Sequence, residues 1–356
     1  MEKIIVFTPS LNIGGIERIL LTYAKGLAQK SYEIIYLTLS NQGDFEVKSF
    51  DNLTFENLGV SRLRQSLFAL VNFFRTNKPD IILCANDATM MVYAAKILSG
   101  SSIKIITSQH NYYANYLDMG FKKTFVPKYI YPRCHKVIAV SEGIRTMLIN
   151  DFNLKTNQVV TISNPIDVLQ IQQQSTETIS NVAKDYILFV GRFDKIKNIP
   201  LLIDAFKIFN KKFPEVKLVL IGGGEELNLI KDYIIEKELK QEIQILGVKS
   251  NPFPYIKNAK IVVLSSISEA FPTILLESLV LGVTIVSTPT PGGIDILQNG
   301  SYGYISDNLF DVHHYSEKLI QAYLKPMDSS KLVDYATLNY NLDLKIVELE
   351  RLWSKC

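Results

Sequence analysis

The feature that most constrains this chain is an alternation of short apolar runs with amphipathic runs, repeated in two stretches separated by one polar segment. In the first stretch, strand-like runs at 4–8, 33–39, 53–57, 80–84, 103–107, 136–140 and 159–162 interleave with helical spacing at 16–30, 61–76, 88–98, 122–131 and 142–150. In the second, strand-like runs at 186–190, 217–221, 243–246, 260–264 and 284–287 alternate with helical runs at 199–213, 225–239 and 272–281. Short apolar strands separated by helices build parallel sheets covered on both faces. The expected fold is therefore α/β, with two doubly wound, Rossmann-like domains facing each other across a cleft and ligands at the carboxyl ends of strands. The polar segment 171–184, which contains Gln172, Gln173, Gln174, Ser175 and Thr176, reads as a linker. The expected domains are thus 1–170 and 185–335, followed by a final helix within 336–356 that packs back on the first domain.

Composition supports this and removes other classes. A chain of 356 residues suits two domains, and 47% hydrophobic against 21% charged residues describes a sequence with a sizeable core. The cysteines, Cys84, Cys134 and Cys356, are too far apart for a metal-ligand pattern and too few for a disulfide framework, so a reducing cytoplasm is the simplest compartment. The first residues run directly into a strand, without the apolar segment of a signal peptide, and no run of 18 apolar residues exists to span a membrane. A net charge of +3 gives no reason to expect a nucleic-acid partner.

Charge is more informative in its distribution. Residues 1–170 hold 18 Lys and Arg against 13 Asp and Glu, whereas the remainder holds 20 against 22. Between Arg62 and Lys136 there are 11 basic residues against 3 acidic, among aromatics such as Phe68, Tyr112, Tyr113, Tyr116, Phe121, Phe125 and Tyr129. Basic residues beside aromatics suit a membrane–water interface, with Lys122, Lys123 and Lys128 at the surface. Solvated lysines over core aromatics explain the same pattern equally well.

Four local features carry chemistry. Arg192 and Lys197 follow an apolar strand and precede a helix, where a guanidinium and an ammonium suit a diphosphate. The segment Ser265 to Glu277 places Glu269 in a loop and Glu277 inside a helix, with Pro272 suited to be the first helical residue. Its first-turn N–H groups favour an anion. Gly222, Gly223 and Gly224 form a glycine-rich strand-to-helix turn, and Gly14 and Gly15 a second one. Neither has the full dinucleotide spacing, which disfavours an NAD-type oxidoreductase. His110 stands at a strand's carboxyl end, a position open to either a functional or a structural histidine. His135, His313 and His314 read as surface residues.

Taken in order, these elements resemble glycosyltransferase family 4, retaining enzymes of the GT-B fold. The resemblance runs through Gly14-Gly15-Ile16-Glu17, His110, Ser141-Glu142-Gly143, Asn164-Pro165-Ile166-Asp167, Gly191-Arg192 to Lys197, Gly222 to Glu225, Leu246-Gly247, the Glu269 to Glu277 pair and Pro291-Gly292-Gly293. It implies transfer of a sugar from a nucleotide-diphosphate sugar to a hydroxyl acceptor. By that resemblance Arg192 and Lys197 hold the donor diphosphate, Glu277 the ribose hydroxyls and Glu269 the donor sugar. Amides from Phe271 through Pro272, Thr273 and Ile274 meet the leaving diphosphate. Gly14, Gly15, Gly222, Gly223 and Val248 border the donor, and His110 lies near the reaction centre. By analogy the donor is a UDP-hexose or UDP-N-acetylhexosamine, and the acceptor is a glycan or lipid-linked molecule of cell-surface polysaccharide synthesis. No Asp-x-Asp triplet is present, so no metal is expected. The enzyme is expected in the cytoplasm, with peripheral attachment to the inner membrane through its first domain. Ala270 and Asp295 depart from the family's usual glycine and glutamate. A non-hydrolysing sugar-nucleotide epimerase and a catalytically silent sugar-nucleotide-binding subunit are the competing readings.

Overall fold

The computed structural model describes residues 2–10, 15–30, 32–41, 52–112 and 124–354. The chain divides into two compact units, Met1–Pro165 with Leu342–Cys356, and Ile166–Asn341. The first unit is built on seven strands: β1 (Lys3–Phe7), β2 (Glu33–Thr38), β3 (Leu53–Asn57), β4 (Ile81–Ala85), β5 (Lys104–Gln109), β6 (Lys136–Ala139) and β7 (Val159–Thr161). They form one sheet in the order β3-β2-β1-β4-β5-β6-β7, every neighbouring pair parallel. The second unit holds β8 (Tyr186–Val190), β9 (Lys217–Ile221), β10 (Ile243–Gly247), β11 (Ile261–Leu264), β12 (Ile285–Ser287) and β13 (Tyr304–Ile305). Their order is β10-β9-β8-β11-β12-β13, again with all pairs parallel.

The sequence dictates this arrangement in a simple way. All five residues of β4 and all four of β11 are buried, because helices cover both faces of each sheet. In both sheets the strand order reverses beside the first strand, between β1 and β4 and between β8 and β11. At such a reversal the loops leaving the two central strands diverge and open a crevice at their carboxyl ends. The best site in each unit is therefore set by topology before any side chain is considered.

The helix Leu342–Ser354 returns the chain to the first unit after the second is complete. Its Ile346, Leu349, Leu352 and Trp353 share a buried cluster with Ile19, Leu20, Tyr23 and Leu27 of the helix Gly15–Ala28. Residues 336–340 belong instead to the preceding helix Ser329–Tyr340, within the second unit.

Four segments differ from the sequence reading. Residues 168–174, read as the end of the first domain and the start of a linker, form a helix of the second unit, so the units part at Pro165. Asp167 caps that helix by accepting from the Gln170 N–H at 2.9 Å, and Val168 and Ile171 point inward beneath a glutamine-rich outer face. Within 122–131, the described part is helical at Thr124 and Phe125 and continues as a π-helical turn, Val126–Ile130, followed by a helical turn at Tyr131–Arg133. Pro127 and Pro132 lack the N–H groups an α-helix needs there. Finally, β13 and the helix Phe253–Asn258 are too short to announce themselves through periodicity.

Candidate active site

The site grows from three loops that leave β8, β9 and β11 at their carboxyl ends. The loop after β8 is pinned to the loop after β9 through main-chain bonds. Gly191 N–H donates to the Ile221 carbonyl at 3.0 Å, and Phe193 N–H donates to Gly223 at 2.8 Å. This close approach requires glycine. At Gly222, with φ +145°, a Cβ would lie 1.8 Å from the Gly191 carbonyl oxygen, and at Gly224, with φ +155°, it would lie 2.5 Å from that of Phe193. Gly223 faces outward, where a Cβ would meet only the Val248 side chain at 3.4 Å. Val248 itself is 74% exposed just beyond β10. The glycine turn thus holds the loop that carries Arg192 and Lys197.

That loop is shaped by Asp194. Its carboxylate accepts from the Lys197 N–H at 3.2 Å, capping the helical turn Lys195–Lys197, and lies 3.6 Å from the Arg192 guanidinium. The Asp194-x-x-Lys197 spacing is a helix-start signal that sequence reading can find and here passed over. The Arg192 side chain is 84% exposed and so can reach a ligand.

The loop after β11 meets the same place. Lys197 donates from Nζ to Glu269 Oε1, and Ser266 Oγ donates to that oxygen at 2.8 Å. Around this contact, Ser265 Oγ donates to the Lys197 carbonyl at 2.7 Å and Ile267 N–H donates to the Ile196 carbonyl at 2.7 Å. Thr288 Oγ1 secures the loop from β12 by donating to the Ser266 carbonyl at 2.6 Å. The structure therefore brings Lys197 and Glu269 together, with the exposed Arg192 on the same loop as Lys197 and held by Asp194, and with Ser265, Ser266 and Thr288 as further supports.

Glu277 lies in the helix Thr273–Val280 and is 7% exposed. The helix starts at Thr273, so Pro272 is its cap residue and not its first helical residue. Pro272 has no N–H, which leaves Thr273 and Ile274 as the first-turn donors without intrahelical acceptors. Behind the loop, Gly292 N–H donates to the Glu269 carbonyl at 3.0 Å, and a Cβ on Gly292 would lie 2.5 Å from the Ala270 carbonyl oxygen. Ala270 is absent from the described positive-φ positions, so alanine fits there without strain. Asp295 sits in the helix Pro291–Ile296, close enough to add to the rise in the Tyr340 phenol pKa that burial chiefly causes. Phe271 packs on Tyr340 with ring centroids 5.9 Å apart.

In the first unit, His110 follows β5 and is anchored on both sides. Its Nε2 lies 2.8 Å from Ser108 Oγ, and its N–H donates to Asn86 Oδ1 at 3.0 Å. Burial lowers the imidazole pKa to about 4, so the ring is neutral at physiological pH and supplies hydrogen bonding, not charge. Gly15 begins the helix after β1, with no described atom within 4 Å of where a Cβ would stand. Gly14 lies outside the described residues, as do Tyr113, Tyr116, Phe121, Lys122 and Lys123. Of the remaining basic and aromatic segment, Phe68 is 77% exposed and Tyr129 40%, whereas Phe74 and Tyr131 are core residues. His314, read as a surface residue, staples a loop: its Nδ1 accepts from the Asp307 N–H at 2.9 Å and its Nε2 lies 3.0 Å from the Asp307 carboxylate. Cys84 and Cys134 are buried thiols, and desolvation pushes the Cys84 pKa up to about 12. Among the described residues, no helix is long and apolar enough to cross a membrane, and no group of three or more His, Cys, Asp or Glu forms a metal-ligand set.

Comparison with known proteins identifies the class of chemistry. Residues 170–338 match the family described as Glycosyl transferases group 1, and residues 13–169 match Glycosyltransferase Family 4. An uncharacterized glycosyltransferase of Haemophilus influenzae is 23% identical over 98% of both chains. The Campylobacter jejuni N-acetylgalactosamine-N,N'-diacetylbacillosaminyl-diphospho-undecaprenol 4-alpha-N-acetylgalactosaminyltransferase is 26% identical over 82% of both. Among solved structures, Anabaena HepE in complex with UDP-glucose aligns over 100% of both chains with a TM-score of 0.80 at 16% identity. A glycosyltransferase from Rickettsia africae aligns over 99% of this chain and 98% of that one, with a TM-score of 0.79 at 16% identity. Two adjoining family matches spanning both units, together with two parallel sheets of the GT-B type, place this chain in glycosyltransferase family 4, and it is a glycosyltransferase.

Proposed function

We infer that the enzyme transfers a hexose or N-acetylhexosamine from a UDP-sugar, with retention of configuration, to a hydroxyl of a glycan or lipid-linked acceptor in cell-surface polysaccharide synthesis. The observation that carries this reading is the meeting of Lys197 with Glu269 across the carboxyl ends of β8 and β11, with the exposed Arg192 on the same loop as Lys197 and the helix Thr273–Val280 following Glu269. Departure of a nucleoside diphosphate builds negative charge, and fixed cations with free amide donors stabilise it in place. Arg192 and Lys197 take the diphosphate, with the Thr273 and Ile274 amides behind it. Glu277 accepts from the ribose hydroxyls, and Glu269 holds a sugar hydroxyl while orienting Lys197. Gly223 and Val248 border the nucleotide. The second unit is thus the donor side and the first, with Gly15 and His110, the acceptor side. His110, being neutral, contributes a hydrogen bond near the sugar without adding positive charge there. The names of similar proteins, one acting on a diphospho-undecaprenol substrate and one solved with UDP-glucose, support the choice of donor and acceptor class. The proposed chemistry uses these cations in place of a metal, and the enzyme works at the cytoplasmic face of the inner membrane.

The test is a panel of nucleotide sugars read by thermal shift, followed by NMR of the product's anomeric proton. A UDP-sugar should stabilise the protein by mass action, and the product should keep the donor's anomeric configuration. Arg192→Ala and Lys197→Ala should each lower turnover by about 10²-fold or more in folded protein. Inversion of configuration, or near-wild-type turnover by both variants, would overturn the assignment.

A further inference from the structure

The loop that leads into the helix Thr273–Val280 is held by a ring and not by its own main chain. Ala270 and Phe271 join Glu269 to that helix, and among the described residues their main-chain groups make no hydrogen bond. What fixes them is the buried Phe271 side chain, which lies on the buried ring of Tyr340 with centroids 5.9 Å apart and planes at 59°. Tyr340 is the last residue of the helix Ser329–Tyr340.

Tyr340 is fixed both at its main chain and at its hydroxyl. Its carbonyl accepts from the Ile166 N–H at 2.9 Å, and Ile166 pairs with Asn341 in an isolated parallel bridge. Its hydroxyl lies 2.9 Å from that of Tyr335, and Tyr335 donates its one proton to the Ile296 carbonyl at 2.9 Å. The Tyr340 hydroxyl is therefore the donor to Tyr335. Tyr302 in turn stacks on Tyr335, with centroids 3.6 Å and planes 10° apart. Ile296 ends the helix Pro291–Ile296, whose Gly292 N–H donates to the Glu269 carbonyl at 3.0 Å. One short helix thus grips the loop at two points, directly at Glu269 and through Tyr335 and Tyr340 at Phe271.

We propose that Tyr340 is a positioning residue for sugar transfer: by holding Phe271 it sets the main chain at 270–272, and with it the first-turn amides of Thr273 and Ile274, where the leaving diphosphate needs them. This rests on the donor reading given above and adds the residue that fixes the donor turn. Amide donors stabilise developing charge when they are aimed before the charge appears. A turn whose entry has no main-chain hydrogen bond keeps its aim through side-chain packing, and a misplacement of about 1 Å costs roughly 10²-fold in rate. Tyr340 touches neither donor nor acceptor in this assignment and acts through Phe271.

Calorimetry with UDP and with UMP, on full-length protein, tests the proposal, because the second phosphate reports on the turn while the shared ribose reports on Glu277. In Tyr340→Leu the gain in affinity from UMP to UDP should fall about tenfold, with UMP affinity kept and turnover at saturating donor lowered at least about tenfold. Tyr340→Phe keeps a ring on Phe271 and should recover most of both losses. Phe271→Leu removes the same contact from the loop side, should match Tyr340→Leu, and should add little to it in the double variant. A purely structural role would lower Tm and leave the ratio of UDP to UMP affinity unchanged. That result in folded Tyr340→Leu, or in Phe271→Leu should the first variant not fold, would overturn the proposal. So would losses that add in the double variant. Wild-type protein that binds UDP no more tightly than UMP would instead remove the donor reading itself.

Discussion

Replacing Glu269 by glutamine separates the two jobs assigned to that carboxylate. Glutamine keeps an oxygen to accept from Ser266 Oγ and from Lys197 Nζ, so the loop geometry survives while a negative charge disappears. A diphosphate taken up by Lys197 would stand about 5 Å from the Glu269 carboxylate. At an effective dielectric of about 20, that repulsion is about 3 kcal/mol per unit charge. The Lys197 and Glu269 side chains are 20% and 15% exposed, so solvent screening halves this to about 1.5 kcal/mol. UDP should therefore bind Glu269→Gln about tenfold more tightly than wild type. Turnover should move the opposite way. A charge-assisted hydrogen bond to a sugar hydroxyl contributes about 1.5–3 kcal/mol, which corresponds to a loss of roughly 10- to 100-fold. Calorimetry with UDP and steady-state kinetics with the UDP-sugar read the two effects separately. A tenfold loss of UDP affinity in folded Glu269→Gln would refute the reasoning, since the carboxylate would then be needed to hold Lys197 for the diphosphate.

Glu277→Gln should do the reverse, weakening UDP by about tenfold or more through the ribose contact while sugar discrimination among bound donors is retained; competition assays with UDP and UDP-sugars decide it. Gly222→Ala places a Cβ 1.8 Å from the Gly191 carbonyl oxygen and should cost about 3 kcal/mol or more. For a unit of this size that lowers Tm by roughly 6–12 °C, whereas Gly223→Ala should shift it little; equal Tm values would count against the loop packing. Because burial holds the His110 imidazole pKa at about 4, below its unfolded value near 6.5, the unfolded chain binds the extra proton first as pH falls. This contribution to stability is complete above about pH 6.5 and is lost as pH drops towards 4, by at most about 3 kcal/mol. His110→Gln should flatten that acid limb in urea titrations, and an NMR titration of the ring near pH 6.5 would contradict it.

The central strands were legible because fully covered parallel strands such as β4 and β11 read as short continuous apolar runs, whereas β3, β7 and β10 are only partly covered and carry polar residues. A two-residue strand such as β13 has no such run to read. The short helix at 168–174 was hidden because its outer face is polar while only Val168 and Ile171 mark its inner side. At the candidate site, residue types and loop positions could be read, but partners could not. Lys197 and Glu269 are 72 positions apart and meet only because β8 and β11 are neighbours in the sheet. Gly222 and Gly224 likewise lie against residues 191–193 through the pairing of β8 with β9, which gives the glycine turn a packing role that spacing alone does not reveal. At position 270, where the family usually has glycine, the backbone lies outside the positive-φ region, so alanine is accommodated there without strain.

The return of Leu342–Ser354 to the first unit has a consequence for biosynthesis. The surface of the helix Gly15–Ala28 that receives Ile346, Leu349, Leu352 and Trp353 is made before the second unit, and its cover after it. Between them the ribosome must synthesise the whole of the unit Ile166–Asn341, which takes about 10–35 s at typical elongation rates. Throughout that interval the nascent first unit carries an uncovered strip formed by Ile19, Leu20, Tyr23 and Leu27, a natural place for a holding chaperone to bind. The later unit can close around its own sheet at once, so the nested segment matures before the one that surrounds it.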